Sequence, residues 1–155
     1  MEIRKATKSD IDSIEKIYER IHDEEEKGLA TVGWIRTIYP TRKTAEDGLK
    51  RKDLFVMEDD GEIVAAAVIN QIMVLHCLAV DPYRKNKGYG KTFVAFYENY
   101  AKRHNCIALR MDTNARNTRA RSLYRKLGYE EIGIVKCIFN GIPDVQLVCL
   151  EKYLG

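Results

Sequence analysis

Ile11, Ile14, Tyr18 and Ile21 recur at helical spacing with Ile17 beside them, which predicts an amphipathic helix after a short opening strand over residues 2–6. Thr7 and Asp10, three residues apart, make a box-like helix start. The helix runs into Asp23-Glu24-Glu25-Glu26. Acids at a helix C-terminus oppose its dipole, so they read as a solvated face; an acidic lip that draws a cationic amine is the alternative. Residues 28–44 show no clear period and carry the single tryptophan, Trp34. A short helix is expected over residues 44–51. Residues 54–57 and 63–69 read as strands joined by the hairpin signal Asp59-Asp60-Gly61. Asn70-Gln71 turns the chain into a third strand, nearly all apolar, over residues 72–80. Asp81-Pro82 stops it, because proline has no N–H to give to a ladder. After a basic turn the period becomes helical again, with Phe93, Phe96, Tyr97, Tyr100 and His104 near one face. Residues 106–111 form a further strand, parallel to the 72–80 strand as in a βαβ unit. Asn117 caps a last helix whose apolar stripe is Ala120, Leu123, Tyr124 and Leu127, with Gly128 at its C′ position. Strands over 129–139 and 145–150, joined by Asn140-Gly141-Ile142-Pro143, complete the pattern.

The turn between the 72–80 strand and the following helix is the most informative stretch. It reads Asp81-Pro82-Tyr83-Arg84-Lys85-Asn86-Lys87-Gly88-Tyr89-Gly90-Lys91-Thr92. Gly88 and Gly90 let a ligand approach the main chain. The first N–H groups of a helix lack internal partners and sit at the positive end of its dipole, so a pyrophosphate is the natural guest. Arg84, Lys85, Lys87 and Lys91 add positive charge. A solvated strand-to-helix turn would have the same glycines, but not four cations around a helix start. A nucleotide P-loop, Gly-x-x-x-x-Gly-Lys-Ser/Thr, needs glycine where Lys85 stands. The dinucleotide fingerprint fails at Phe93, which occupies the place of its third glycine.

Composition narrows the class without choosing within it. A chain of 155 residues suits one domain spanning residues 1–155 and buries roughly two thirds of its unfolded surface without staples. No apolar run reaches membrane-spanning length, and Met1-Glu2-Ile3-Arg4-Lys5 does not read as a secretory leader. Cys77, Cys106, Cys137 and Cys149 are widely spaced, mostly within apolar runs and without a C-x-x-C pair. They read as buried thiols of a cytoplasmic protein, with no disulfide frame and no metal site. A net charge of +3 gives no reason to expect nucleic acid.

The stretch Val80-Asp81-Pro82 followed by Lys85-Asn86-Lys87-Gly88-Tyr89-Gly90 resembles the acetyl-CoA signature of the GNAT superfamily of N-acetyltransferases. There a strand ending Val-x-Pro precedes Gln/Arg-x-x-Gly-x-Gly/Ala and a helix; Lys85 is the departure, a mild one where backbone N–H groups do most of the binding. Asn117-Thr118-Arg119-Ala120-Arg121-Ser122-Leu123-Tyr124-Arg125-Lys126-Leu127-Gly128-Tyr129 resembles the second GNAT signature, Asn-x-x-Ala-x-x-Leu-Tyr-x-x-Leu-Gly-Phe/Tyr, at every signature position. The two lie in the right order, about thirty residues apart. The resemblance covers residues 54–155, with the N-terminal part consistent. It implies an α/β (α+β) fold: a mixed, mostly antiparallel sheet of about seven strands with helices on both faces.

The same resemblance implies transfer of acetyl from acetyl-CoA to a primary amine of a small molecule or peptide N-terminus. A GNAT fold that senses CoA without turnover is the alternative, and a P-loop nucleotide hydrolase a more distant one. The cofactor is expected along Leu78, Ala79 and Val80, with Leu78 and Val80 bonding its pantetheine arm like an added strand. It is further expected at Lys85, Asn86, Lys87, Gly88, Tyr89, Gly90 and Lys91, and at Asn117, which is also a plain N-cap. Tyr124 is the family's acid position, although it lies on the apolar stripe as a core tyrosine would. The base is open. Asp112, ending its strand, matches a glutamate of some ribosomal-protein N-terminal acetyltransferases. His76 has a suitable ordinary pKa, and a water chain also fits. Regular alternation puts His76 on the same side as Val74 and Leu78 unless a bulge near Leu78 intervenes. Arg110 would oppose a raised pKa at Asp112. Trp34, Tyr39 and His76 are expected near the acceptor; packing of the loop against the core for the two aromatics, and a satisfied histidine within the sheet for His76, are the alternatives. Homodimers are common in the family, and the sequence carries no signal for or against one.

Overall fold

The structure, a computed structural model, describes residues 1–84 and 86–155. Strand β1 (Glu2–Lys5) leads through a 3-10 turn (Lys8–Asp10) into helix α1 (Ile11–Glu26). The Thr7/Asp10 box is formed: Thr7 N donates to Asp10 Oδ2 at 2.7 Å. Arg4 holds the same carboxylate with two hydrogen bonds, at 2.8 and 3.0 Å. Helix α2 (Arg42–Arg51) starts two residues before the expected position, because Thr41 caps it and Thr44 closes a second capping box. Strands β2 (Leu54–Asp59), β3 (Glu62–Ile69) and β4 (Val74–Val80) form the antiparallel meander, followed by helix α3 (Tyr89–Arg103). Strand β5 (Ala108–Asn114), helix α4 (Thr118–Lys126) and the long hairpin β6 (Glu130–Phe139) and β7 (Ile142–Tyr153) finish the chain.

The seven strands make one sheet in the order β1-β2-β3-β4-β5-β7-β6. All pairings are antiparallel except β4 with β5. The fold is therefore the mixed, mostly antiparallel sheet that was expected, with helices on both faces. Alternating strand residues feed two cores. Ile11, Ile14, Ile17, Tyr18 and Ile21 of α1 pack with Val56, Ala66, Val68 and Ala79 on one face. Tyr89, Phe93, Val94 and Tyr97 of α3 pack with Phe55, Leu75, Leu109 and Tyr124 on the other.

Further expectations change. Strand β7 begins at Ile142, inside the expected turn, and runs to Tyr153, because Asn140 and Gly141 alone, both at positive φ, make the reversal. Strand β4 begins at Val74, not residue 72, because Asn70–Met73 closes a tight turn: Met73 has φ 57 and its N–H donates to Asn70 O at 3.0 Å. Strand β5 runs on to Asn114 against β7, so Asp112 lies within a strand and does not end one. The four cysteines are free and of intermediate exposure as residues, although burial still pushes the Cys77 thiol up.

Candidate active site

The site starts from an irregularity in β4. His76 pairs with Val68 and Ala79 with Ala66, so Cys77 and Leu78 together face Ala67. This is a bulge, and Cys77 takes φ 52 to make it, a strained value for a residue with a side chain. The extra residue reverses the alternation. Leu75 packs toward α3; after the bulge Leu78 and Val80 pack there too, while Cys77 and Ala79 join the α1 side. His76 and Leu78 therefore do not share a face. His76 lines a groove beneath α2 with Thr41, Thr44 and Arg51, whereas Leu78 lines a cleft beside Gly88. The bulge also parts the sheet. Parallel pairing with β5 covers Val74 with Arg110 and Leu75 with Met111 and goes no further among the described residues. From residue 76 on, the β5-facing edge of β4 is left without a strand, an edge that an extended ligand arm can pair with.

The cleft beside that edge, about 360 Å³, is lined among others by Leu78, Val80, Asn86, Lys87, Gly88, Gly90, Lys91, Asn117 and Tyr124. Gly88 is the N-cap of α3 at φ 75 and ψ 9, a left-handed conformation that glycine adopts without cost. A Cβ there would meet nothing within 4 Å, while one at Gly90 would touch Leu123 Cδ2 at 3.4 Å. The start of the helix is thus open on one side and backed by α4 on the other. Orphan N–H groups, lysines and an unpaired strand edge fit a ligand with a pyrophosphate at one end and an amide-bearing arm at the other, as acetyl-CoA has. Tyr89 joins this only by its main chain, because its ring is buried and its hydroxyl donates to Asp59 at 2.7 Å. Ala79 is likewise buried, on the far face. Lys85 lies outside the described residues. Asn117 caps α4, its Oδ1 accepting from Ala120 N at 3.1 Å, and it lines the cleft as well.

A narrow chamber of about 100 Å³ continues the cleft toward the other face, walled by Trp34, Tyr39, Cys77, Leu78, Asp112, Asn117, Tyr124 and Phe139 among others. Tyr124 lines both cleft and chamber; Asp112 lines both the chamber and the groove beneath α2, which holds about 700 Å³. Burial, with Asp112's charge second, pushes the Tyr124 phenol up to about 12. Its hydroxyl makes no hydrogen bond among the described residues, so it is free to donate to a ligand. Burial raises the Asp112 carboxyl above its ordinary value, and the His76 ring pulls it partly back. His76 Nδ1 is 3.7 Å from Asp112 Oδ2. Arg110, expected to oppose the rise, instead donates to Glu151 at 2.8 Å. Asp112 and His76, weighed as rival bases, are neighbours.

The loop before α2 supplies the aromatic wall. Trp34 meets Tyr18 and Tyr39 edge-on at 6.2 and 6.1 Å, and Tyr39 meets Phe139 at 5.4 Å. The acids at the end of α1 hold this loop and are not an idle solvated face. Glu25 accepts from Val32 N at 2.8 Å and Gly33 N at 3.1 Å, while Glu19, Asp23 and Glu26 all bind Arg36. Arg36 offsets only one of those three negative charges, so this end of α1 stays acidic. Phe139, Cys77 and Arg36 carried no signal in the sequence, because each gains its role from partners distant along the chain.

A mixed sheet split at a bulge thus opens a cleft at the start of α3 and, beyond it, a chamber lined by both Tyr124 and Asp112. Residues 12–129 match the model of the acetyltransferase (GNAT) family, and the chain belongs to that family. It is similar to an uncharacterized N-acetyltransferase of Bacillus subtilis (strain 168), 29% identical over 87 residues; the match spans 50% of this chain and 58% of that relative's length. Among solved structures it resembles a ribosomal-protein-alanine N-acetyltransferase from Brucella melitensis, with TM-score 0.76, 22% identity and coverage of 99% of this chain and 100% of that one. It also resembles a Salmonella typhimurium protein solved with its cofactor acetyl-CoA, with TM-score 0.75, 17% identity and coverage of 100% and 94%. At these identities the structural likeness speaks for the fold.

Proposed function

We propose that the chain transfers the acetyl group of acetyl-CoA to a primary amine of a small molecule or a peptide N-terminus by direct attack. The observation that carries this reading is that Tyr124 and Asp112 both line one narrow chamber, which Tyr124 shares with the cleft and Asp112 with the groove. The cofactor supplies an activated acetyl thioester. Everything else asked of the site is proton handling and orientation. The amine enters from the groove and gives a proton to Asp112, whose raised pKa makes it a better acceptor than an exposed aspartate. Main-chain N–H at the Leu78 bulge polarises the acetyl carbonyl. As the amine nitrogen bonds to the acetyl carbon and the C–S bond breaks, Tyr124 Oη, protonated at any working pH, gives its proton to the departing sulfur; it then regains a proton from solvent while Asp112 releases the amine's proton. Trp34, Tyr39 and Phe139 keep water away from the exchange.

A thiol-release assay with acetyl-CoA and a panel of amino acids, polyamines and short peptides with free N-termini tests the proposal. The peptides belong in the panel because one structural relative is named for acetylating the alanine of a ribosomal protein. Release above the hydrolysis rate with at least one class is the expected result. Tight acetyl-CoA binding with no release from any amine would instead point to a sensing module.

A further inference from the structure

The rival bases Asp112 and His76 are sorted by a third residue, Asn70, in the turn between β3 and β4. Its main chain closes the turn, and its side chain has a fixed orientation: Val74 N donates to Asn70 Oδ1 at 2.9 Å. That leaves Nδ2 facing His76 Nε2 at 3.2 Å. An amide NH₂ can only donate, so Nε2 must present its lone pair, and a neutral imidazole then carries its hydrogen on Nδ1. Nδ1 is the atom that faces Asp112 Oδ2. The parallel register explains the meeting: Val74 pairs with Arg110 and Leu75 with Met111, which brings residue 76 level with residue 112 just as the strands part.

We propose that Asn70 is a positioning residue for proton transfer, holding His76 in the tautomer whose Nδ1–H points at Asp112. The inference rests on Asp112 being the proton acceptor, as proposed above. In this arrangement the His76 lone pair is occupied by Asn70 and cannot take the amine's proton. At 3.7 Å the Nδ1–H is too far for a hydrogen bond, but it turns its positive end toward Asp112 and favours the ionised form in a site whose burial works against it. The opposite tautomer would set a lone pair against the carboxylate. Other groups around the pair contribute little net charge. On the α2 side Lys43 binds Asp47 and Arg51 binds Asp53, and Tyr39, Cys77 and Tyr124 are neutral near pH 7, their pKa values all raised by burial.

Nitrogen-15 NMR of the imidazole rings reads the tautomer without turnover, with the His76 signals assigned by their loss in His76→Gln. The unsubstituted protein should show His76 protonated at Nδ1 and bare at Nε2; an Nε2–H tautomer overturns the inference. Asn70→Asp keeps the acceptor for Val74 N but turns the other oxygen toward Nε2, which now needs a proton. Flanked by two carboxylates, the ring should stay doubly protonated to higher pH and hold Asp112 ionised as a weaker base. The kcat/KM of Asn70→Asp should fall roughly tenfold or more, with its acidic limb moved to lower pH. An unmoved limb counts against Asn70. If Asp112→Asn keeps full kcat/KM, the proton-acceptor reading fails whatever the tautomer. If Asp112→Asn is inactive and the tautomer or limb is wrong, the Asn70 inference fails alone.

Discussion

Replacing Gly88 by valine tests the phosphate cradle. Gly88 sits at φ 75 and ψ 9 as the N-cap of α3, and its added Cβ would meet no protein atom within 4 Å. The protein therefore suffers no clash, only backbone strain. A left-handed conformation costs an L-residue about 1–2 kcal/mol, with β-branched residues at the upper end. For a domain of this size that is a fall in Tm of roughly 2–8 °C, which leaves the fold intact. Binding should suffer more. Either the side chain stands in the open space where the ligand meets the helix, or the chain leaves the left-handed region and turns the first N–H groups of α3 aside. Each charged hydrogen bond lost is worth about 1.5–3 kcal/mol, roughly 10- to 150-fold in Kd. Calorimetric titration with CoA measures the loss directly. Gly88→Asn separates the causes, because asparagine tolerates the left-handed region and leaves bulk as the main change. A folded Gly88→Val protein that binds CoA within twofold of the original would refute the placement of the pyrophosphate at the start of α3.

Two further substitutions probe other parts of the account. Tyr124→Phe removes only a hydroxyl and should keep CoA affinity while lowering kcat by roughly 10²- to 10⁴-fold; full activity would leave Tyr124 as core packing. Arg4 is the main reason, through its hydrogen bonds, that the Asp10 carboxyl is held down at about 2. A depressed carboxyl adds stability that is fully present above its unfolded pKa near 4 and is lost as pH falls toward 2. Asp10→Asn should therefore cost about 2 kcal/mol near neutral pH, read as a lower midpoint in urea, and little near pH 2. Equal losses at both pH values would contradict the ion-pair account.

The two signature stretches announced the starts of α3 and α4 because they depend on local chemistry: Gly88 at the start of α3, Asn117 as the cap of α4, Gly128 at its end. The seven strands were legible from their runs and turns for the same reason. The bulge near Leu78 was suggested by the family resemblance and has no signal in the residues themselves, because Cys77 adopts its positive φ without being glycine or asparagine. That one residue sends His76 to the α2 side and Leu78 to the cleft. The aromatic wall of the chamber depends on long-range partners. Arg36 gathers three carboxylates from α1, and Phe139 reaches Tyr39 from the end of β6. Only the closed fold shows which of two rival bases faces the chamber and what lies behind it.

The pH dependence of Asp112→Asn tests the central claim most directly. Burial raises the Asp112 pKa in the folded chain, so the native state binds more protons than the unfolded state between the unfolded value near 4 and the raised one. Stability then falls as pH rises through that window, and Asp112→Asn should be more stable than the original protein at neutral pH. The original kcat/KM should fall on the acid side as Asp112 protonates. The Tyr124 phenol, at about 12, should produce no alkaline limb below roughly pH 10. Measured with the best amine from thiol release, Asp112→Asn should lower kcat/KM by roughly 10²-fold or more and abolish the acidic limb while gaining Tm. A variant that keeps both the rate and the limb would contradict the account and assign the limb to the amine itself.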